Sequence, residues 1–235
     1  MNEMFLLAMS AATLGVVHTI LGPDHYLPFI VLSRARNWSR SKTLWITVIS
    51  GVGHVGSSII LGIVGIAMGI SLHKLEAIEA NRGNIVGWML IFFGLIYTGY
   101  GIYKYMNNGA HLHLFNFLLP KKIRHRKLYD SEESEKGDDD AGKITPWILF
   151  LIFIFGPCEV LIPMLIYPAA ENSHMGIFMV ALVFGLATVL TMSLVVMLGY
   201  KGVSLIKLNG KEHVFHLVAG LVILLSGVSI QFLGL

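Results

Sequence analysis

The sequence predicts an all-α integral membrane protein whose six spanning helices form two inverted three-helix repeats with broken first helices. Three observations predict this fold class: the composition, six long apolar stretches, and one Gly-Pro element in each half. Of the 235 residues, 55% are hydrophobic and 13% are charged, whereas soluble domains carry about 25% charged residues. This composition excludes a soluble enzyme and a nucleic-acid-binding protein, and the single cysteine excludes a disulfide framework.

Six stretches are apolar enough to span a bilayer, which takes about 20 residues as a helix. The first and fourth are interrupted by polar residues; the predicted spans are 4–32, 44–70, 85–105, 147–168, 177–198 and 214–233. Residues 1–106 therefore form a first three-helix repeat, 107–145 a hydrophilic linker, and 146–235 a second repeat. No Lys or Arg precedes Arg34, so we interpret the N-terminal stretch as a retained span and not as a signal peptide.

The basic residues predict the orientation of the chain. All but two of the 17 Lys and Arg residues fall in the connections after the first, third and fifth spans; the exceptions are Lys74 and Arg82. Because cytoplasmic loops are enriched in Lys and Arg, both termini are expected outside, in a bacterial inner (plasma) membrane. The third connection carries an acidic run at 130–140 and is expected to be a solvated cytoplasmic linker.

Two similar segments predict the repeat. Residues 21–32 read LGPDHYLPFIVL and residues 155–167 read FGPCEVLIPMLIY, so each has a Gly-Pro pair, a polar couple and a second proline. His54 and Thr188 follow the two Gly-Pro prolines at the same distance along the chain. Because each half has an odd number of spans, the second half starts on the opposite side of the membrane, so a repeat between the halves must be inverted. Paired interruptions of this kind indicate the binding site of a transporter.

The second prolines, Pro28 and Pro163, are expected to break the helices. A proline inside a helix removes a hydrogen-bond donor and frees the carbonyl four residues earlier. These carbonyls belong to Asp24 and Glu159, which are the acidic residues within the two interrupted spans. The sequence therefore predicts exposed backbone oxygen beside each acid.

A few side chains within the predicted spans are ionisable or metal-binding, and we take them as a candidate metal site: His18, Asp24, His25, His54, Cys158 and Glu159. Ionisable groups are costly within a bilayer and usually have a functional partner. Imidazole, carboxylate and thiolate suit first-row transition metals. Structural roles stay open for single residues: a histidine that bonds a neighbouring helix, Asp24 as a helix cap, and Cys158 as a small apolar side chain.

The pattern of His18, the Asp24-His25 pair and His54 resembles the nickel/cobalt transporter group, most closely its NicO and UreH-like branches within the LysE-type superfamily. The Gly-Pro-Cys element at 156–158 is similar to a signature of the same superfamily, which includes TauE/SafE-type sulfite exporters and CcdA-like thiol-electron carriers. The resemblance implies that Asp24, His25 and His54 are metal ligands, with His18 as a further one. Five residues, 19–23, separate His18 from Asp24, which is one more than is usual in the group. Either a bulge absorbs the extra residue or His18 is not a ligand. A CcdA-like function needs two cysteines, and this chain has one.

The function predicted from the sequence is secondary transport of a divalent transition metal, nickel or cobalt first, by alternating access. No nucleotide-binding or nucleophile motif is present, so neither enzymatic activity nor a bound cofactor is predicted, and the metal is the substrate. The expected partners are the metal ion and the lipid bilayer, with a cytoplasmic metallochaperone or a second copy of the chain as candidates. Two alternatives stay open: a small-anion exporter such as one for sulfite, disfavoured because two acids but no Lys or Arg are predicted at membrane depth, and a membrane accessory or sensor protein.

Overall fold

The computed structural model describes residues 3–109, 144–205 and 213–233, and every regular element in these ranges is helical. A short 3-10 turn, Pro23–His25, lies between the first two α-helices. In chain order the α-helices are α1 (Glu3–Leu21), α2 (Leu27–Ala35), α3 (Arg40–Ala67), α4 (Leu72–Gly109), α5 (Ile144–Phe155), α6 (Leu161–Ala170), α7 (His174–Ser204) and α8 (His213–Leu233).

Five of the described helices, α1, α3, α4, α7 and α8, are long and apolar enough to cross a membrane. The fourth predicted span is divided between the short apolar helices α5 and α6. Large apolar side chains such as Trp45, Ile60 and Leu190 are exposed on the outer faces of these helices. A folded chain exposes so much apolar surface when lipid covers it, so the structure agrees with a multi-pass membrane protein.

Both predicted interruptions are present, but their cause differs from the expected one. Each lasts five residues, 22–26 between α1 and α2 and 156–160 between α5 and α6. Pro28 and Pro163 lie in the first turn of the helix that follows each break, where a proline is tolerated because the N–H has no helical partner. The expectation that these prolines free the carbonyls of Asp24 and Glu159 is therefore wrong. The helices are interrupted at the Gly-Pro pairs instead.

Helices α4 and α8 pack against each other with their backbones in close contact. A Cβ added to Gly94 would lie 2.5 Å from the backbone nitrogen of Leu224, and one on Gly101 would lie 2.6 Å from the Cα of Leu217. The contact therefore moves seven residues forward along α4, from Gly94 to Gly101, while it moves seven residues back along α8, from Leu224 to Leu217. The two helices are antiparallel. Gly220 and Gly227 of α8 meet the backbone of α4 in the same way. Small residues permit this approach, as is usual between membrane helices.

Buried apolar side chains form two clusters on either side of the broken helices. The larger cluster joins α2, α4, α5, α7 and α8 and includes Phe29, Phe153 and Ile223. The smaller cluster joins α1, α3, α6 and α7 and includes Val55 and Phe184. These clusters fix the two breaks against the long helices, which matters because the breaks carry most of the candidate site.

Helix α4 begins earlier than the predicted third span. The sequence predicts the span from residue 85, with Lys74 and Arg82 in the preceding loop, but α4 starts at Leu72. Glu79 is 1% exposed and Arg82 is half-buried inside the helix bundle. The loop interpretation of Arg82 is wrong because α4 already includes it, and the ion pair with Glu79 allows both charges to lie inside the helix bundle. Most of the predicted 107–145 linker lies outside the described residues.

Candidate metal site

Three histidines from three different elements meet at the first break. His18 lies in the last turn of α1, His25 in the 3-10 turn, and His54 in the middle of α3. One nitrogen from each ring can be chosen so that all three atoms lie within 4.8 Å of one another. The His18 and His25 rings are 4.7 Å apart and the His25 and His54 rings are 5.0 Å apart, measured between centroids. His18 therefore lies beside His25 and His54 although five residues separate it from Asp24.

Hydrogen bonds at Nδ1 orient two of the three rings. Nδ1 of His25 lies 3.1 Å from the carbonyl of Gly22 and 3.2 Å from Oδ1 of Asp24. Nδ1 of His54 lies 3.3 Å from the carbonyl of Phe153. Because these partners are acceptors, we assign the proton to Nδ1 in both rings, and this tautomer leaves Nε2 with its lone pair. Metal-binding histidines usually donate their other N–H to a carboxylate or carbonyl in this way.

The two Nε2 atoms of His25 and His54 face each other at 3.3 Å. Two lone pairs at this distance repel each other unless a proton or a metal cation lies between them. His25 and His54 are 4% exposed, so water has little access to this contact. The arrangement is therefore suited to a cation bound by neutral imidazoles.

Asp24 and Cys158 lie beside the histidines in different ways. The Asp24 carboxylate contacts Nδ1 of His25, on the side of the ring that faces away from His54, so it orients that ring. Sγ of Cys158 lies 3.7 Å from Nε2 of His18 and is fully buried. Cys158 thus brings a thiol from the second break to the histidine group.

Glu159 stands apart from the other predicted site residues. Its side chain is exposed, and it lines the same cavity as the histidines. Among the described residues, the close cluster of metal-binding groups comprises His18, His25 and His54 alone. Direct ligation by Asp24, Cys158 or Glu159 stays a prediction.

A cavity of about 640 Å³ adjoins the three histidines. Its walls come from α1, α3, α4, α5, α8 and both breaks, so residues before and after the linker share it. Most of the wall is apolar, and polar groups are concentrated near the histidines and at the rim: Asp24, Asn84, Glu159 and Gln231. An apolar cavity with a few converging polar groups is the usual form of a small-ligand site.

Sequence analysis did not identify Glu79 and Arg82 as part of this region. Arg82 donates hydrogen bonds to the carbonyls of Ile154 and Gly156 at 3.2 and 3.1 Å. It therefore lies against the second break, next to the carbonyl that orients His54. The spacing of Glu79 and Arg82 in the sequence could have predicted their ion pair, because an acid and a base three residues apart lie close together on a continuous helix.

Comparisons with known proteins give no family for this chain. No protein-family model, curated protein or solved structure matches it.

Proposed function

We propose that this chain is a secondary transporter of a divalent transition-metal cation, with His18, His25 and His54 as the core of its binding site. The observation that carries the proposal is the pair of Nε2 atoms of His25 and His54, which face each other at 3.3 Å while both Nδ1 atoms are held by acceptors. The site adjoins a cavity to which both halves of the chain contribute.

We further propose that the chain contains two inverted repeats of three spans, with α5 and α6 together as the fourth span. Equal five-residue breaks support this. So does an exchanged contact: Gly51 of α3 faces Val189 of α7, and Gly185 of α7 faces Val55 of α3. The third helix of each repeat also carries glycines seven residues apart, at 87, 94 and 101 in α4 and at 220 and 227 in α8. Inverted repeats with broken helices are typical of secondary transporters.

The chemistry of the ligands favours a particular class of metal. Neutral imidazole suits nickel, cobalt, zinc and copper, whereas magnesium and calcium prefer oxygen ligands. The thiol of Cys158, 3.7 Å from His18, adds to this preference. Nickel or cobalt comes first because of the resemblance of the His18, Asp24-His25 and His54 pattern to the nickel/cobalt transporter group.

The shape of the cavity is consistent with one state of an alternating-access cycle. Ala80 and Asn84 of α4 and Gln231 of α8 line its rim, on the side where α4 begins and α8 ends. With both termini outside, as the basic residues predict, this rim faces the outside. On the other side the buried rings of Phe29 and Phe153 lie 4.6 Å apart between centroids, and we propose that they close the cavity toward the cytoplasm.

The function can be tested by transport into vesicles. Purified protein in liposomes that contain a metal-sensitive dye is expected to carry nickel or cobalt across the bilayer, and His25→Ala is expected to abolish the flux. His73→Ala is the control, because His73 is an exposed residue at the start of α4. Equal flux through the wild-type protein and the His25→Ala variant would contradict the proposed site, and flux of zinc alone would change the assigned metal.

Arg82 bears on the alternative of a small-anion exporter, which would need a cation near the site. Its two terminal nitrogens, however, already donate to Glu79, to two serines and to two backbone carbonyls. A guanidinium occupied in this way has little capacity left for a free anion. Sulfite flux in the same vesicles, with no metal flux, would favour the anion instead.

The glycine of each Gly-Pro pair gives a further prediction. A Cβ on Gly156 would lie 2.8 Å from Nδ1 of His54 and 3.0 Å from the carbonyl that Nδ1 contacts. Gly156→Ala should therefore turn the His54 ring and weaken cobalt binding at least about 10-fold, as loss of an orienting partner does. Cobalt titration followed by visible absorption measures this.

Gly56→Ala is the matched control for that titration. Gly56 lies on α3 two residues after His54, and a Cβ there meets nothing within 4 Å. We expect unchanged cobalt binding in this variant. Equal affinities of the Gly56→Ala and Gly156→Ala proteins would show that His54 does not depend on the close approach of the break.

A further inference from the structure

Glu79 and Arg82 form an ion pair on α4 that contacts both ends of the second break. Arg82 donates to the carbonyls of Ile154 and Gly156, at the end of α5. Oε2 of Glu79 accepts from the backbone N–H of Cys158 at 3.0 Å, just before α6. A helix leaves its last carbonyls and its first N–H groups without partners. The ion pair therefore places a cation at the C-terminal end of α5 and an anion near the N-terminal end of α6, which suits both helix dipoles.

The first break is held differently. Apart from the contact between His25 and His54, its hydrogen bonds are local: Tyr26 donates to the carbonyl of Ile20 at 3.3 Å, and Nδ1 of His25 contacts the carbonyl of Gly22 at 3.1 Å. In the part of the chain that the structure describes, residues 22–26 form hydrogen bonds within the break, with the adjoining helices α1 and α2, and with His54. The Arg82–Glu79 pair is thus a feature of the second break and not a requirement of every broken helix in this fold.

Arg82 is also linked to His54 from two directions through other residues. Arg82 donates to Oγ of Ser57 at 2.7 Å, and Ser57 in turn donates to the carbonyl of His54 at 2.8 Å. On the other side, Arg82 holds the carbonyl of Ile154, whose neighbour Phe153 provides the acceptor for Nδ1 of His54. The backbone of His54 is therefore linked to the guanidinium through Ser57, and its ring is linked to the same guanidinium through Ile154 and Phe153.

We propose that Arg82, paired with Glu79, is a positioning residue that fixes the His54 imidazole by holding the end of α5 against α3. The pair does not bind the metal. It sets which nitrogen of His54 carries the proton, because Nδ1 donates to Phe153 only while the end of α5 stays in place. The proposal rests on the proposed function for its consequence in metal binding, but its immediate effect is on the His54 ring in the metal-free protein.

Arginine is suited to this role and lysine is not. The guanidinium has two terminal nitrogens in a rigid plane, and here they reach five acceptors on α3, α4, α5 and the second break. A lysine ammonium has one nitrogen with three donors and cannot span the same acceptors. Arg82→Lys is therefore expected to behave like Arg82→Gln and not like the wild-type protein.

The experiment compares ring nitrogens and cobalt affinity in the same set of proteins. Full-length protein labelled with ¹⁵N-histidine is purified metal-free, and the His54 signals are identified by their loss in His54→Gln. Arg82→Gln is measured beside the double variant Glu79→Gln/Arg82→Gln, because the single change leaves a buried carboxylate without its partner. Lys74→Gln is the control, since it removes an exposed positive charge from the same helix.

The expected result is a change of the His54 tautomer in both Arg82 variants and none in Lys74→Gln. Cobalt affinity should fall about 10- to 100-fold in the Arg82 variants, which is typical for loss of an outer-shell partner. An unchanged tautomer in a folded Arg82→Gln or double variant would overturn the positioning role. A changed tautomer in a chain whose wild-type form binds no cobalt would sustain the positioning role and overturn the proposed metal function.

Discussion

Replacement of His54 by alanine is expected to abolish high-affinity metal binding. His54 supplies one of the two facing Nε2 atoms and belongs to the group of three whose nitrogens lie within 4.8 Å of one another. Loss of an outer-shell partner already costs about 10- to 100-fold in affinity, so loss of a ligand should exceed 100-fold. Isothermal titration of purified protein with nickel or cobalt in detergent measures the effect.

Two further variants make this result specific to the imidazole. His54→Gln keeps a polar side chain of similar length in the packed site while it removes the imidazole nitrogen that is proposed to bind the metal. His73→Ala removes an exposed histidine and should leave binding unchanged. Wild-type affinity in His54→Ala and His54→Gln would eliminate His54 as a ligand and with it the proposed site.

Gly94→Ala is expected to destabilise the protein strongly, because a single methyl group has no space between α4 and α8. The added Cβ would lie 2.5 Å from the backbone nitrogen of Leu224, and backbone cannot turn aside as a flexible side chain can. Overpacking of this kind costs about 1–3 kcal/mol and sometimes more. The free energy of unfolding, measured by reversible denaturation in mixed micelles, should fall by at least this amount.

Gly99→Ala tests whether the effect belongs to the contact and not to glycine itself. Gly99 lies on the same helix five residues away, is exposed, and meets nothing within 4 Å of an added Cβ. Alanine there should stabilise the helix by about 0.5–1 kcal/mol. An equal decrease in the free energy of unfolding in both variants would show that the close packing of α4 and α8 is not the reason why position 94 requires glycine.

Much of the helical organisation follows from hydrophobicity alone, and the exceptions have physical causes. A charge-free apolar stretch predicts a span directly, as it did for α3, α7 and α8. Arg82 and Glu79 interrupt the apolar pattern of α4, so the predicted third span began too late. Their mutual ion pair depends on three-dimensional packing against Ser57, Ser58 and the second break, which no local pattern reveals.

The residues of the candidate site differ in how well their roles could be predicted from the sequence. His18, His25 and His54 stand out because ionisable side chains are rare in apolar helices, and the structure brings these three together. The helix-breaking role given to Pro28 was wrong because a proline in a first turn costs nothing. The sequence contains no measure of depth or direction, so the exposed position of Glu159 could not be foreseen.

The most direct test of the central claim is X-ray absorption spectroscopy at the metal edge of the nickel- or cobalt-loaded protein. We expect multiple scattering from about three imidazole rings around one ion in the wild-type protein, and loss of this signal in His25→Ala and His54→Ala, which no longer hold the ion. A sulfur neighbour in the same spectrum would add Cys158 to the ligands. A first shell of oxygen alone, or a spectrum that neither histidine variant alters, would contradict the proposal that His18, His25 and His54 hold the metal together.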